Sequence, residues 1–365
     1  MRRAVSLGFI ILIIFTMGFL VQLNYFLVKP GSAEKLGNLI QVEGKSRQEQ
    51  GQFYMLTVSQ HPANLWGFLY GYFHPAVDLR PISKVVPSDI SMEEYNDLMR
   101  SWMQESKHLA GVIALRRAGY EVPIVSDGVE IVKVLPDSPA RGILQAGDII
   151  TAVGGKSVYL AEEVVAGIQK KTVGEKVKIA FQHKEENKEA AIPTVSHLED
   201  PYQAALRLYV RTLNWKPLFP LKIEIETGPV SGPSAGMMFV LEILDRLLPE
   251  NLTGGHRIGG TGTIALDGKV GGIGGVKQKV LAAEGAGLEY FLVPAENYKE
   301  ASQVATRLQV VSVDNLEEAL NFLGTLHSVS EKALLTPEIN RLPPAIAPRL
   351  LPPAVSARYR HTIMG

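Results

Sequence analysis

The chain has 365 residues, 46% hydrophobic and 20% charged, which is globular material with room for two domains and a further module. Its 37 basic and 37 acidic residues cancel, so no net field attracts a polyanion, and nucleic acid is set aside as a partner. Cysteine is absent, which excludes a disulfide framework, a thiolate metal site and a cysteine nucleophile.

In chain order, Ala4 to Val28 carries no charge for 25 residues, more than the roughly 20 that a membrane-crossing helix needs. Arg2 and Arg3 precede it, and positive charge favours the cytoplasmic side. The expectation is an N-terminal anchor, residues 1–45, with a transmembrane helix over about 4–28. The N-terminus would then be cytoplasmic and the rest extracytoplasmic, on the cell membrane. A cleaved signal peptide is the rival, with Gly31 and Ala33 near a processing site, but its apolar region spans only about 7–15 residues.

Residues 46–125 read as a linking region with a strand near 53 and helices later. Trp66, Phe68, Tyr70, Tyr72 and Phe73 suit a membrane interface or, in preference, local core. One long helix or two short ones are expected from Ser91 to Arg117, with Glu93 and Glu94 in the first turn and Tyr95, Leu98, Met99, Trp102 and Met103 at helical spacing. Residues 126–195 give a strand, a Pro-Asp-Ser-Pro turn, a short helix, a Gly-Asp turn, a strand, a Gly-Gly hairpin, an amphipathic helix and an alternating strand. That order describes a small β-barrel with two helices. Residues 196–328 read as an α/β segment. The tail, 329–365, holds six prolines and four arginines and reads as extended or disordered. The fold class is α+β, multi-domain.

The chemistry concentrates after residue 230. In "SGPSAGMMF", Ser234 lies between a Gly-Pro turn and an apolar helix, where it either caps that helix or serves as a nucleophile. The free N–H groups of a helix start suit a developing oxyanion. A base is then required. Of eight histidines none forms an HExxH pair, so no metal site is expected. His256 with Asp245 or Asp267 is a poor triad, because "TGGHRIGG" reads as a loop entering a strand. Lysine is the better base. In "GGIGGVKQKVLAAEGAG", the 3.6-residue period puts Val276, Lys279, Val280, Ala283 and Gly287 on one face, whereas Lys277 points with Leu281 and Glu284. Lys279 therefore falls on the stripe to be buried, where desolvation lowers an amine's pKa. "GTGTIA", Gly260 to Ala265, matches a dinucleotide fingerprint but runs into a hairpin and not a helix, and no P-loop is present. No cofactor and no ATP site are expected.

Two resemblances follow from these motifs. Ser138, Pro139, Ala140, Gly147, Asp148, Ile150, Val153 and Gly155 make 126–195 similar to the PDZ domains of bacterial proteases. Gly128, Val129, Glu130 and Ile131 stand in place of the carboxylate loop of signalling PDZ domains, and a peptide is expected to add as a strand there. "GPSAG", "TGTIALDGKVGGIGG", "KQKVLAAEGAG" and "FLVPAEN", in this order over 231–297, resemble the proteolytic domain of Lon, a serine-lysine peptidase. With the PDZ segment and the expected anchor, the whole resembles the membrane-anchored PDZ-containing Lon-like proteases of bacteria. The resemblance implies Ser234 as nucleophile, Lys279 as base and Thr261 as the hydroxyl supporting that amine. It departs at Ser231, where Lon is often acidic, and in lacking the unfolding ATPase. The implied function is an ATP-independent endopeptidase that cuts unstructured segments of extracytoplasmic peptides or proteins presented by the PDZ domain. Homo-oligomerisation, as in Lon rings, is left open. The alternative is a membrane-tethered PDZ scaffold with a silent protease domain.

Overall fold

The computed structural model describes residues 12–13, 15–46, 50–86, 91–197 and 201–334. They form two compact units: Met1–Ala118 with Leu221–Gly365, and an inserted unit Gly119–Pro220. The sequence-based boundaries at 46, 126 and 196 thus differ from the breaks between the units. The Pro-rich part of the tail, 335–365, lies outside the described residues, and 329–334 continue a helix.

The larger unit is built on one mixed sheet. Its strands are β1 (Gln22–Lys35), β2 (Gln52–Asn64), β3 (Asp78–Pro81), β4 (Arg257–Gly260), β5 (Tyr290–Pro294) and β6 (Gln309–Val313), in the order β6-β5-β4-β2-β1-β3. β2, β4, β5 and β6 run parallel. β1 is antiparallel to both of its neighbours.

This topology corrects the transmembrane expectation. Gln22 to Val28, the end of the expected span, is strand, with Phe26 at 3% and Val28 at 2% exposure inside the sheet. Among the described residues no helix is long and apolar enough to cross a membrane. The fold class therefore loses its N-terminal transmembrane helix, and the single-pass membrane localisation goes with it. The first part of the expected span, 4–11, lies outside the described residues. Residues 12–13 and 15–20 are helical, and for Gln22 to Val28 the physical reason is that a strand buried on both faces reads as an unbroken apolar run, which periodicity cannot separate from helix.

The aromatic run forms helix α1 (Leu65–Phe73), capped by Asn64, whose side chain accepts from the Gly67 N–H at 2.7 Å. A helix apolar all round buries only the side it can seat. Gly71 seats it, since a Cβ there would lie 2.7 Å from Leu27 Cδ1. Tyr72 and Phe73 stay 72% and 78% exposed, against the expectation of local core.

Helix α2 (Met92–Arg117) starts with a capping box: the Glu94 N–H donates to Ser91 Oγ, and the Ser91 N–H to the Glu94 carboxylate. It packs on α3 (Gly236–Leu247), which is buried from Gly236 to Arg246. Two further helices, α4 (Val276–Gly285) and α5 (Ala295–Val304), follow β4 and β5 in turn, and α6 (Leu316–Leu334) follows β6. Val276, Val280 and Ala283 of α4 pack with Tyr54, Leu56 and Phe291 of the sheet.

In the inserted unit, strands Glu186–Pro193, Lys176–His183, Ile149–Val153, Val129–Val134 and Leu208–Thr212 lie side by side in that order, with helix Ala161–Gln169. The motif residues brace it: Ser138 Oγ donates to Leu206 O at 2.6 Å, and buried Asp148 accepts from the Gln145 N–H at 2.9 Å and pairs with His183 at 2.7 Å.

Candidate active site

The chain enters the site from strand Ile223–Ile225, which pairs with Ile40–Val42. Gly232 takes a left-handed turn, φ 88°, and donates its N–H to Met99 O at 2.9 Å. Ser106 Oγ donates to Pro233 O at 3.2 Å. Helix α2 thereby holds the turn on both sides of the bend. Gly236 is dictated by the same contact, because a Cβ there would sit 2.7 Å from Ser106 Oγ and 2.8 Å from Ile264 Cγ2.

Helix α3 is capped by Ala235, with no side-chain cap bond. Ser234 is half-buried, and its Oγ lies 2.8 Å from Lys279 Nζ. Thr261 follows β4 directly and is 1% exposed. Its hydroxyl donates to Ser234 O at 2.9 Å, and the Gly262 N–H reaches the same carbonyl at 2.8 Å. The Ser234 turn is thus pinned to the end of a sheet strand as well as to α2.

Lys279 comes from α4, which starts at Gly275 in the left-handed region, φ 73°. Its Nζ donates to Thr261 Oγ1 at 2.7 Å. The lysine is 3% exposed, and this burial pulls its pKa from 10.5 to about 7. About half of the amine is then neutral at pH 7. In that form the 2.8 Å contact lets Ser234 donate to Nζ while an Nζ–H holds Thr261. Lys277, two residues earlier, faces away and pairs with Asp78 at 2.8 Å. Gly287 is exposed and off the stripe, because the helix ends at Gly285.

The histidine alternative is not assembled. His256 pairs with Glu289 at 2.7 Å, Asp245 accepts the Leu252 N–H, and Asp267 accepts the Lys269 N–H. "GTGTIA" leads into a hairpin in which Thr263–Ile264 pairs with Val270–Gly271. Among the described residues no cluster of metal-ligating side chains occurs.

Gly128, Val129, Glu130 and Ile131 lie elsewhere, in the inserted unit. Val129 and Ile131 are fully buried. Their strand is paired with Leu208–Thr212 along one edge and, at Val129 and Glu130, with Ile149 and Ile150 along the other. Glu130 also holds an ion pair with Arg211. The outer edge strand next to them, Leu208–Thr212, is not among the elements expected from the sequence. Its one local signal is the short alternating run "LYVRT".

Residues 145–325 match the family model of the Lon protease (S16) C-terminal proteolytic domain. The chain is 31% identical over 156 residues to the Lon protease of Protochlamydia amoebophila, covering 42% of this chain and 17% of that protein. It is 37% identical over 113 residues to the Lon protease of Mycoplasma mobile, covering 29% and 13%. The chain thus spans less than a fifth of the length of these relatives. Among solved structures, a PDZ domain of an SdrC-like protein from Listeria innocua is similar at 35% identity, covering 23% of this chain and 93% of that one, with a TM-score of 0.22. The family match and the Lon relatives, on the chain that carries the Ser234 site, support a Lon-like serine protease.

Proposed function

We propose that this chain is an ATP-independent serine endopeptidase in which Ser234 is the nucleophile, Lys279 the base and Thr261 the group that orients the base. The observation that carries the reading is the buried Nζ held between Ser234 Oγ at 2.8 Å and Thr261 Oγ1 at 2.7 Å. Ser234 Oγ attacks the peptide carbonyl as its proton passes to Lys279 Nζ. The C–N bond then breaks and Lys279 returns that proton to the leaving amine. A water attacks the acyl-enzyme, gives its proton to Lys279, and Ser234 is released protonated. The N–H groups of Gly236 and Met237 are spent on Pro233 O and Gly262 O. The oxyanion is therefore assigned to the N–H groups of Ser234 and Ala235.

Substrates in this reading are unfolded proteins or peptides, since an extended chain is what a pinned serine turn can engage. In the inserted unit a peptide adds to the outer edge of Leu208–Thr212, because Gly128 to Ile131 lies on a strand already paired on both sides.

The test uses the full chain with an unfolded protein and a peptide mixture, without ATP, read by mass spectrometry. Cutting is expected for wild type and Lys277→Ala and lost in Ser234→Ala and Lys279→Ala. Cutting that survives Ser234→Ala, or a folded wild type that cuts nothing, overturns the reading.

A further inference from the structure

Lys279 stands in the first turn of α4, and its own N–H bonds at 3.1 Å to the carbonyl of Gly275, the residue before the helix. No side chain caps that start. First turns fray, so the place of the amine depends on what holds the loop that enters the helix. That loop, residues 271–275, is four glycines around Ile273. Glycine surrenders the most conformational entropy when a loop takes one shape, so this one needs a fastening.

Asn297, in the first turn of α5, fastens the loop at its one residue other than glycine. Its Oδ1 accepts the Ile273 N–H at 2.8 Å and its Nδ2 donates to Ile273 O at 3.0 Å, so one side-chain amide engages both backbone groups. The loop is also closely packed to either side of Ile273. A Cβ on Gly272 would lie 2.5 Å from Glu296 Oε2, and one on Gly275 would lie 2.9 Å from Val58 Cγ1. The same stretch of chain holds the other partner of the amine, because Leu292 O accepts the Thr261 N–H at 2.9 Å. Residues 292–297 therefore hold Thr261 at one end and the approach to Lys279 at the other. The 2.7 Å bond from Lys279 Nζ to Thr261 Oγ1 exceeds the usual limit of about 3.2 Å once α4 slips by about 0.5 Å.

We propose that Asn297 is a positioning residue for catalysis: by clamping Ile273 it fixes the first turn of α4 and keeps Lys279 Nζ between Ser234 Oγ and Thr261 Oγ1. It acts through Lys279 and on no reacting atom itself. The proposal rests on Lys279 being the base.

Full-length wild type, Asn297→Ala and Asn297→Asp are compared in two arms. In the first, kcat and KM are measured for a neutral peptide from pH 5.5 to 9.5. In the second, the Lys279 amine is titrated by NMR of protein labelled with carbon-13 at lysine Cε, with Lys279→Met identifying the resonance. Alanine frees both groups of Ile273, whereas aspartate keeps the acceptor for its N–H and loses the donor to its carbonyl. We expect kcat to fall about 100-fold in Asn297→Ala and about tenfold in Asn297→Asp, with KM within about twofold of wild type. The amine midpoint, about 7 in wild type, should rise by about one unit or more in Asn297→Ala as water reaches a loosened Lys279. The aspartate variant keeps the test decisive where the alanine variant fails to fold. A folded variant with wild-type kcat, or one whose pH profile and amine titration match wild type whatever its stability, overturns the proposal alone. An amine that shifts in the Asn297 variants, while wild type cuts no peptide, overturns the protease reading and leaves the positioning of Lys279 standing.

Discussion

Lys279→Met removes the proposed base and is predicted to stabilise the fold. Methionine keeps nearly the same length but carries no charge to bury. Burial holds the Lys279 amine at a pKa of about 7 where an exposed lysine has 10.5. At 1.36 kcal/mol per pH unit, that gap is a penalty of about 5 kcal/mol on the charged form. At pH 7 most of it is charged against folding, because the unfolded lysine is protonated and the folded one half neutral. Losing the bonds to Ser234 Oγ and Thr261 Oγ1 takes back about 1 kcal/mol each. The net expectation is a gain of about 2–3 kcal/mol near pH 7. The sign against pH follows from the depressed pKa: between about 7 and 10.5 the unfolded state binds more protons, so wild-type stability rises with pH relative to the variant. Urea denaturation of both proteins by circular dichroism at pH 6, 7, 8 and 9 reads the difference. A variant less stable than wild type at pH 7, with a difference that does not change with pH, refutes the reasoning.

Cleavage of a neutral peptide should increase through an apparent pKa near 7 as Lys279 loses its proton, and a kcat/KM profile flat from pH 5.5 to 8.5 contradicts that. Gly236→Ala drives a methyl against Ser106 Oγ and Ile264 Cγ2, so a loss of about 1–3 kcal/mol in urea melts is expected. Arg246→Met strips the buried Glu242 carboxylate of its 3.1 Å partner and releases the bond to Gly37 O, at a cost of about 3–5 kcal/mol by the same assay. Lys277→Ala loses a part-exposed pair with Asp78, so less than about 1 kcal/mol is expected, with cleavage retained in the peptide assay.

The sequence by itself determined whatever is local. The period of α4 is enough to separate Lys279 from Lys277, because a helix face is set by spacing alone, and the structure buries one and pairs the other at the surface. Ser91 and Glu94 announce the start of α2 in the same way. The breakers around Ser234 signal a turn into a helix, but the residues cannot say whether the hydroxyl caps that helix or meets a base. That answer depends on a lysine 45 positions away, brought to 2.8 Å only when α4 docks on the sheet. Tertiary structure alone decided the rest. Gln22 to Val28 is strand because β2 and β3 pair with β1 on its two sides, and an apolar run carries no record of its partners. Met99 and Ser106 brace a turn more than a hundred residues later, and Leu208–Thr212 covers the edge of Val129–Val134. Such pairings join segments far apart in the chain, so their evidence lies in packing and in the satisfaction of backbone groups, and not in any local pattern.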